Sequence, residues 1–176
     1  QCSPTIFMSF RKMTLPDESF RQRGVKVITV PDIRWGRCDI KSLNLLPNVL
    51  AKQQAKEAGA FESIFIREGL VTEGTSCNVI IVRNGVIHTP ETNHHILAGV
   101  TRKILLDLAK KGGLSVCERT IEAKELFEVD EMFLAGTTIE VMPVVAIDEK
   151  PVGTGQPGPI SQKLSSWYQD FLSRLA

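Results

Sequence analysis

Paired cysteines, long apolar runs and an excess of either charge are all missing from this sequence. Its four cysteines, Cys2, Cys38, Cys77 and Cys117, are scattered over 176 residues with no C-x-x-C among them. That excludes a disulfide framework and the common zinc-finger spacings, and it points to reduced thiols in a cytoplasmic setting. The aliphatic run Val79-Ile-Ile-Val82 is far short of the ~20 residues that cross a bilayer, so no membrane partner is expected. With 21 basic and 20 acidic residues the net charge is +1, and the basic residues do not cluster. A nucleic-acid face needs a concentrated positive patch, so none is expected. No internal repeat or low-complexity tract breaks the chain.

What is present is enough apolar material for a core, at 43% hydrophobic residues. A chain of this size buries about 70% of its unfolded surface and needs no metal or disulfide staple. The opening Gln1-Cys-Ser-Pro-Thr-Ile-Phe-Met-Ser-Phe10 has neither an initiator Met nor a signal-peptide pattern. Ile6 to Phe10 reads as the end of a strand whose partners lie elsewhere, and the chain reads as a fragment. The expected division is a tail of an N-terminal domain over 1–15, a linker over 16–24 and a main domain over 25–176.

Strands are expected at Val25–Val30, Phe61–Ile66, Cys77–Arg83, Val86–Thr89, Leu114–Arg119, Glu131–Ala135 and Val141–Ile147, with Asn84-Gly85 turning a type I′ hairpin. A helix after Lys41 takes Asn44 as its N-cap, tolerates Pro47 in its first turn and stops at Gly59. Further helices are predicted over Val100–Lys111, ended by Gly112-Gly113, and over a short Ala123–Phe127. A last helix carries Ile160, Leu164, Trp167, Phe171, Leu172 and Leu175 at helical spacing. Alternating strands and helices with one hairpin predict an α/β fold around a mixed sheet.

Several residues invite chemistry. Lys41 stands among Ile40, Leu43, Leu45 and Leu46. Burial there would disfavour the ammonium and supply a nucleophilic amine, whereas a surface lysine would lay its stem over the core and keep its head in water. Gly153-x-Gly155-x-x-Gly158 matches a dinucleotide fingerprint, but Pro157 and Pro159 crowd it and too little chain follows for a second strand. It is read as a turn. His94-His95 has no ligand-spaced companions, and Cys38 and Cys77 have no evident base, so no metal and no thiol catalysis are expected. Gly99-Val-Thr101 opens a helix and Gly136-Thr-Thr138 follows a strand; each offers backbone amides to an anion or is an ordinary cap and turn. Glu73, in Glu73-Gly-Thr-Ser-Cys-Asn78, sits in an expected turn, where it matters only if it meets a buried cation.

In order, Asp32-Ile-Arg34-Trp-x-Arg-Cys-Asp-Ile-Lys41-Ser-Leu-Asn-Leu-Leu, Val71-Thr-Glu73-Gly-x-Ser76-x-Asn78, Ile96-Leu97-x-Gly-Val-Thr101-Arg102 and Gly136-Thr-Thr138-x-Glu140-Val-x-Pro143 resemble the pyridoxal-phosphate enzymes of fold type IV. Within that group the Lys41 stretch looks most like the D-amino acid (D-alanine) aminotransferases. Branched-chain aminotransferases and aminodeoxychorismate lyases share the scaffold and differ around the lysine. A non-catalytic cofactor-binding or interaction piece is the alternative of another class.

The resemblance implies the C-terminal domain of such an enzyme, with pyridoxal 5′-phosphate as cofactor and an amino acid and a 2-oxo acid as substrates. Lys41 would form the Schiff base and then move the substrate proton. Glu73 would keep the pyridine nitrogen protonated, so that the ring accepts the carbanion's electrons. Val100, Thr101 and Thr137 would hold the phosphate, Leu97 would pack on the ring, and Ser76 would lie near the cofactor. Thr138 and Arg34 would serve the substrate side. Close relatives often carry Ser where Cys77 stands. A homodimer is implied, together with an N-terminal domain that supplies an arginine to the phosphate.

Overall fold

A computed structural model describes residues 3–10, 12 and 15–175. In chain order these form α1 (Glu18–Arg23), β1 (Val25–Pro31), α2 (Leu46–Glu57), β2 (Glu62–Arg67), β3 (Leu70–Gly74), β4 (Asn78–Arg83) and β5 (Val86–Thr89). There follow α3 (Val100–Lys111), β6 (Val116–Glu118), a 3₁₀ helix (Ala123–Phe127), β7 (Glu131–Gly136), β8 (Glu140–Ile147), β9 (Lys150–Pro151) and α4 (Pro159–Ser173). The strands make one mixed sheet in the order β3-β2-β1-β8-β7-β4-β5-β6, with β9 paired to β8. The fold is α/β, as the sequence pattern implies.

Side-chain alternation decides which face of the sheet each strand residue serves. Val79, Ile81, Met132, Leu134, Met142 and Val144 belong to one buried cluster with Val25, Val27, Ile64 and Val71. Their alternates Ile80, Val82, Phe133, Ala135 and Val141 meet Leu105, Leu106 and Ala109 of α3 and Leu164 and Tyr168 of α4. A third, small cluster joins Val30 and Phe65 to Ala51 of α2. Strands β3 and β4 stand first and sixth in the order, yet three residues connect them and the Gly74 N–H donates to the Cys77 carbonyl at 2.8 Å. The sheet therefore curls until its β3 edge comes round to β4, which folds the 74–78 corner into the heart of the molecule.

Two hairpins have the turns their residues require. Asn84 and Gly85 both take positive φ, 51° and 74°, between antiparallel β4 and β5, as a type I′ turn demands. Glu68 and Gly69 do the same at 52° and 79° and reverse β2 into β3.

Some expectations are corrected. Helix α2 starts at Leu46 behind Leu45, without a side-chain cap; Asn44 instead uses its own N–H on the Ser42 hydroxyl at 3.2 Å. Ile6 to Phe10 forms no strand and lies exposed, Phe10 by 98%, because no strand edge is paired with it. Strand β6 is shorter than expected. Leu175 falls beyond α4 and is exposed, while Tyr168 takes a core position. The glycine triplet is a turn, and the Glu131 carboxylate already fills the start of α4. Its oxygens accept from the N–H groups of Ile160 and Ser161 at 2.9 and 2.8 Å.

Candidate active site

The corner built by the curled sheet gathers most of the nominated residues. Glu73 does not sit in a turn. It lies on β3 and is only 6% exposed, a position missed because Leu70-Val-Thr-Glu-Gly74 has too few apolar residues to read as a strand. The buried cation expected of a buried carboxylate is Arg34, whose Nη1 donates to Glu73 Oε1. Oε2 accepts from the Leu97 N–H at 3.2 Å and from Asn78 Nδ2 at 3.3 Å. A carboxylate offers about four lone-pair positions. Among the described residues three are taken, and the one left is on Oε1. Burial pushes the Glu73 carboxyl above its ordinary range, against the opposing pull of the Arg34 charge.

Arg34 is held on every side. Asp32, with a fully buried side chain, accepts from Arg34 Nε at 2.9 Å and Nη2 at 2.8 Å in a two-pronged pair. Nη2 also reaches the Thr72 hydroxyl at 3.2 Å and the His95 carbonyl at 3.0 Å. The guanidinium carbon stands 4.5 Å from the centre of the Phe65 ring. Arg67 adds a second cation to Asp32 at 3.1 Å and donates to the Arg34 carbonyl at 2.8 Å. Burial works against both charges, but the hydrogen bonds overcome it: Asp32 is held well below the usual carboxylate range and Arg34 is pushed up. Arg34, expected to brace the site and placed on the substrate side, gives its donors to Asp32 and Glu73.

Lys41 follows on the loop between β1 and α2. Of the two placements its apolar neighbours allow, the structure shows the exposed one. Ile40, Leu43, Leu45 and Leu46 turn outward with it. The loop is nevertheless tethered. The Cys38 N–H donates to the His94 carbonyl at 2.7 Å, and Asn48, in the first turn of α2, donates to the Thr75 carbonyl at 2.7 Å. These two bonds fasten the lysine loop to the 90–99 loop and to the 75–77 connection.

The remaining positions frame the same corner. Ser76 is exposed on the three-residue connection between β3 and β4. Gly136, opening the turn that bears exposed Thr137 and Thr138, lies so near that a Cβ there would stand 3.4 Å from the Ser76 carbonyl. Helix α3 opens at Gly99 with no side-chain cap. A Cβ on Gly99 would fall 2.0 Å from Asn78 Oδ1, so the glycine lets the helix start press against β4. Thr101 is buried and Val100 exposed, and the amides of this first turn lack intrahelical acceptors, as at any helix start. The site thus offers a buried carboxylate with an open acceptor position, a helix start without a side-chain cap, a hydroxyl-bearing turn and, on the tethered loop, an exposed amine.

Asp32, Thr72, Asn78 and Arg67 were not nominated from sequence. The Asp-x-Arg spacing two residues apart was the available signal for Asp32, but it has meaning only once Glu73 is known to be buried beside it. The His94 and His95 rings pack at 3.9 Å between centres, and among the described residues no group of three His, Cys, Asp or Glu side chains could hold a metal ion. Cys38 and Cys77 are buried, and burial pushes the Cys77 thiol far up, away from nucleophilic use. Among the described residues no helix is long and apolar enough to cross a membrane. A cleft of about 670 Å³ between α1 and α2, lined by Phe20, Val49, Lys52 and Phe61, contains none of the nominated residues.

Comparison with known proteins defines the class. Residues 1–147 match the family described as amino-transferase class IV, and the chain belongs to that family. It is 48% identical over 155 residues to the D-alanine aminotransferase of Bacillus licheniformis, covering 88% of this chain and 55% of the relative. It is 40% identical over 167 residues to that of Staphylococcus haemolyticus, covering 95% and 59%. Among solved structures, the branched-chain amino acid aminotransferase of Thermobaculum terrenum in its PLP form superposes with a TM-score of 0.79 at 30% identity, over 88% of this chain and 53% of that one. The chain spans a little over half the length of the curated relatives it matches.

Proposed function

We propose that this chain is the cofactor-holding portion of a pyridoxal-phosphate-dependent D-amino acid aminotransferase. The observation that carries the reading is Glu73: a carboxylate buried on β3, braced by Arg34 and left with one acceptor position on Oε1. When bound, the cofactor supplies an electron-accepting ring and an aldehyde for amine exchange. The chain's own residues do the rest. Glu73 would hold the protonated ring nitrogen, and the Lys41 Nζ would hold the cofactor at its aldehyde carbon and carry the proton leaving the substrate Cα. The first-turn amides at Val100 and Thr101, with Thr137, would hold the phosphate, and Leu97 would pack on the ring. Ser76 and Thr138 face the cofactor or substrate carboxylate. Residues 25–176 are the cofactor-holding domain and 16–24 the link to what precedes it.

The D-amino acid assignment rests on 40–48% identity to D-alanine aminotransferases against 28–35% to branched-chain structures. A homodimer and a cytoplasmic setting belong to the same reading. The exposed Ile33, Trp35, Ile40, Leu43, Leu45, Leu46, Val49 and Leu50 around the lysine loop support the dimer, since lone copies rarely leave so much apolar surface uncovered. The test is a single half-turnover. The chain loaded with pyridoxal phosphate receives stoichiometric D-alanine, L-alanine or L-leucine, and the 2-oxo acid released is measured. D-Alanine should yield the most product; preference for L-leucine would move the protein to the branched-chain class.

A further inference from the structure

Asp32 has no part in the reading above, yet it is the most completely enclosed carboxylate of the corner. Its side chain is inaccessible, and its oxygens meet Arg34 Nε and Nη2, the Thr72 hydroxyl at 3.0 Å and the Arg67 guanidinium. The two-pronged grip uses the forked edge of Arg34, so Glu73 receives only Nη1. Without Asp32 the fork would be free to turn and give Glu73 Oε1 a second N–H, filling the acceptor position left there. Charge points the same way. Arg34 and Arg67 against Asp32 and Glu73 sum to zero, and removing the Asp32 charge leaves a cationic cluster beside a group that is meant to carry a proton.

We propose that Asp32 is a positioning residue that occupies the fork of Arg34, so that Glu73 keeps both a free acceptor site and enough negative charge to hold a proton on the cofactor's ring nitrogen. This rests on the reading of Glu73 given above. The other groups facing Asp32 are the Thr72 hydroxyl, Arg67 and, at longer range, Cys38 and His95. None of them supplies a second negative charge at neutral pH.

The test uses ring-nitrogen-labelled pyridoxal phosphate and follows nitrogen protonation by NMR across pH, with borohydride trapping to count cofactor attached at Lys41. In Asp32→Asn the protonation midpoint should fall by about one pH unit or more, with trapping undiminished, and Asp32→Glu should restore it partly. Arg67 is partly exposed, and Arg67→Gln removes a cation from the same cluster; its midpoint should move upward. If Asp32→Asn fails to fold, the Arg67→Gln shift alone decides. An unchanged midpoint in a trapped Asp32→Asn protein, or a fall in Arg67→Gln, overturns the proposal, because a merely structural role would change stability without moving the nitrogen. Absence of any trapped cofactor in the wild type overturns the Glu73 reading itself and the proposal with it. A trapped cofactor with an unmoved midpoint overturns the proposal alone.

Discussion

The Glu73 charge costs the fold stability at neutral pH. Its carboxyl is raised by burial, so the ionised form is disfavoured in the folded state. A raised acid contributes stability below the unfolded pKa, near 4.3, and loses it as pH rises through the folded value. Glu73→Gln should therefore leave the melting temperature of the cofactor-free protein at pH 7 unchanged or higher. Its affinity for pyridoxal phosphate should fall roughly tenfold to a hundredfold, the worth of one charge-assisted hydrogen bond. A marked drop in cofactor-free melting temperature would show that the charge serves the fold. Glu125 behaves oppositely. Hydrogen bonds from Arg119 hold its carboxyl down to about 2, so its contribution is present above the usual carboxylate pKa and is lost as pH falls toward 2. Glu125→Gln should lower the melting temperature at pH 7, and the difference from wild type should vanish near pH 2.

At the scale of elements, the two glycines that cap α3 separate site from scaffold. A methyl at Gly99 would meet Asn78 Oδ1 at 2.0 Å, and one at Gly112 would meet the Trp167 ring, also at 2.0 Å. Overpacking of this kind costs about 1–3 kcal/mol, so both alanine variants should melt early. Only Gly99→Ala should also weaken cofactor binding, because Asn78 holds Glu73 and the Leu97 carbonyl; titration of the two variants with pyridoxal phosphate checks this. The helix they share was legible in sequence to the residue, since its apolar spacing, terminal lysines and Gly112-Gly113 agree. So was the Asn84-Gly85 hairpin. Strand β3 was not, because its burial comes from the curl of a sheet whose other strands lie far along the chain. The exposure of Lys41 stays open in the sequence for the complementary reason. Its apolar neighbours suggested a core, but the 32–45 loop turns them outward, and sequence adjacency carries no information on which way a loop faces.

For the whole molecule, the proposed chemistry singles out one lysine among the chain's basic residues, by means of a corner assembled from β1, β3, β4, α3 and the β7–β8 turn. The exposed apolar belt about that lysine should make the protein self-associate, with sedimentation showing a dimer whose population rises with concentration; a strictly monomeric species at all concentrations would remove the dimer from the reading. The central claim is tested more directly by a single chemical measurement. The protein is incubated with pyridoxal phosphate, reduced with borohydride, digested and mapped by mass spectrometry. The expected result is a phosphopyridoxyl group on Lys41, absent from Lys41→Ala and much reduced in Glu73→Ala. Label spread evenly over surface lysines, or retained in full by Lys41→Ala, would contradict the account.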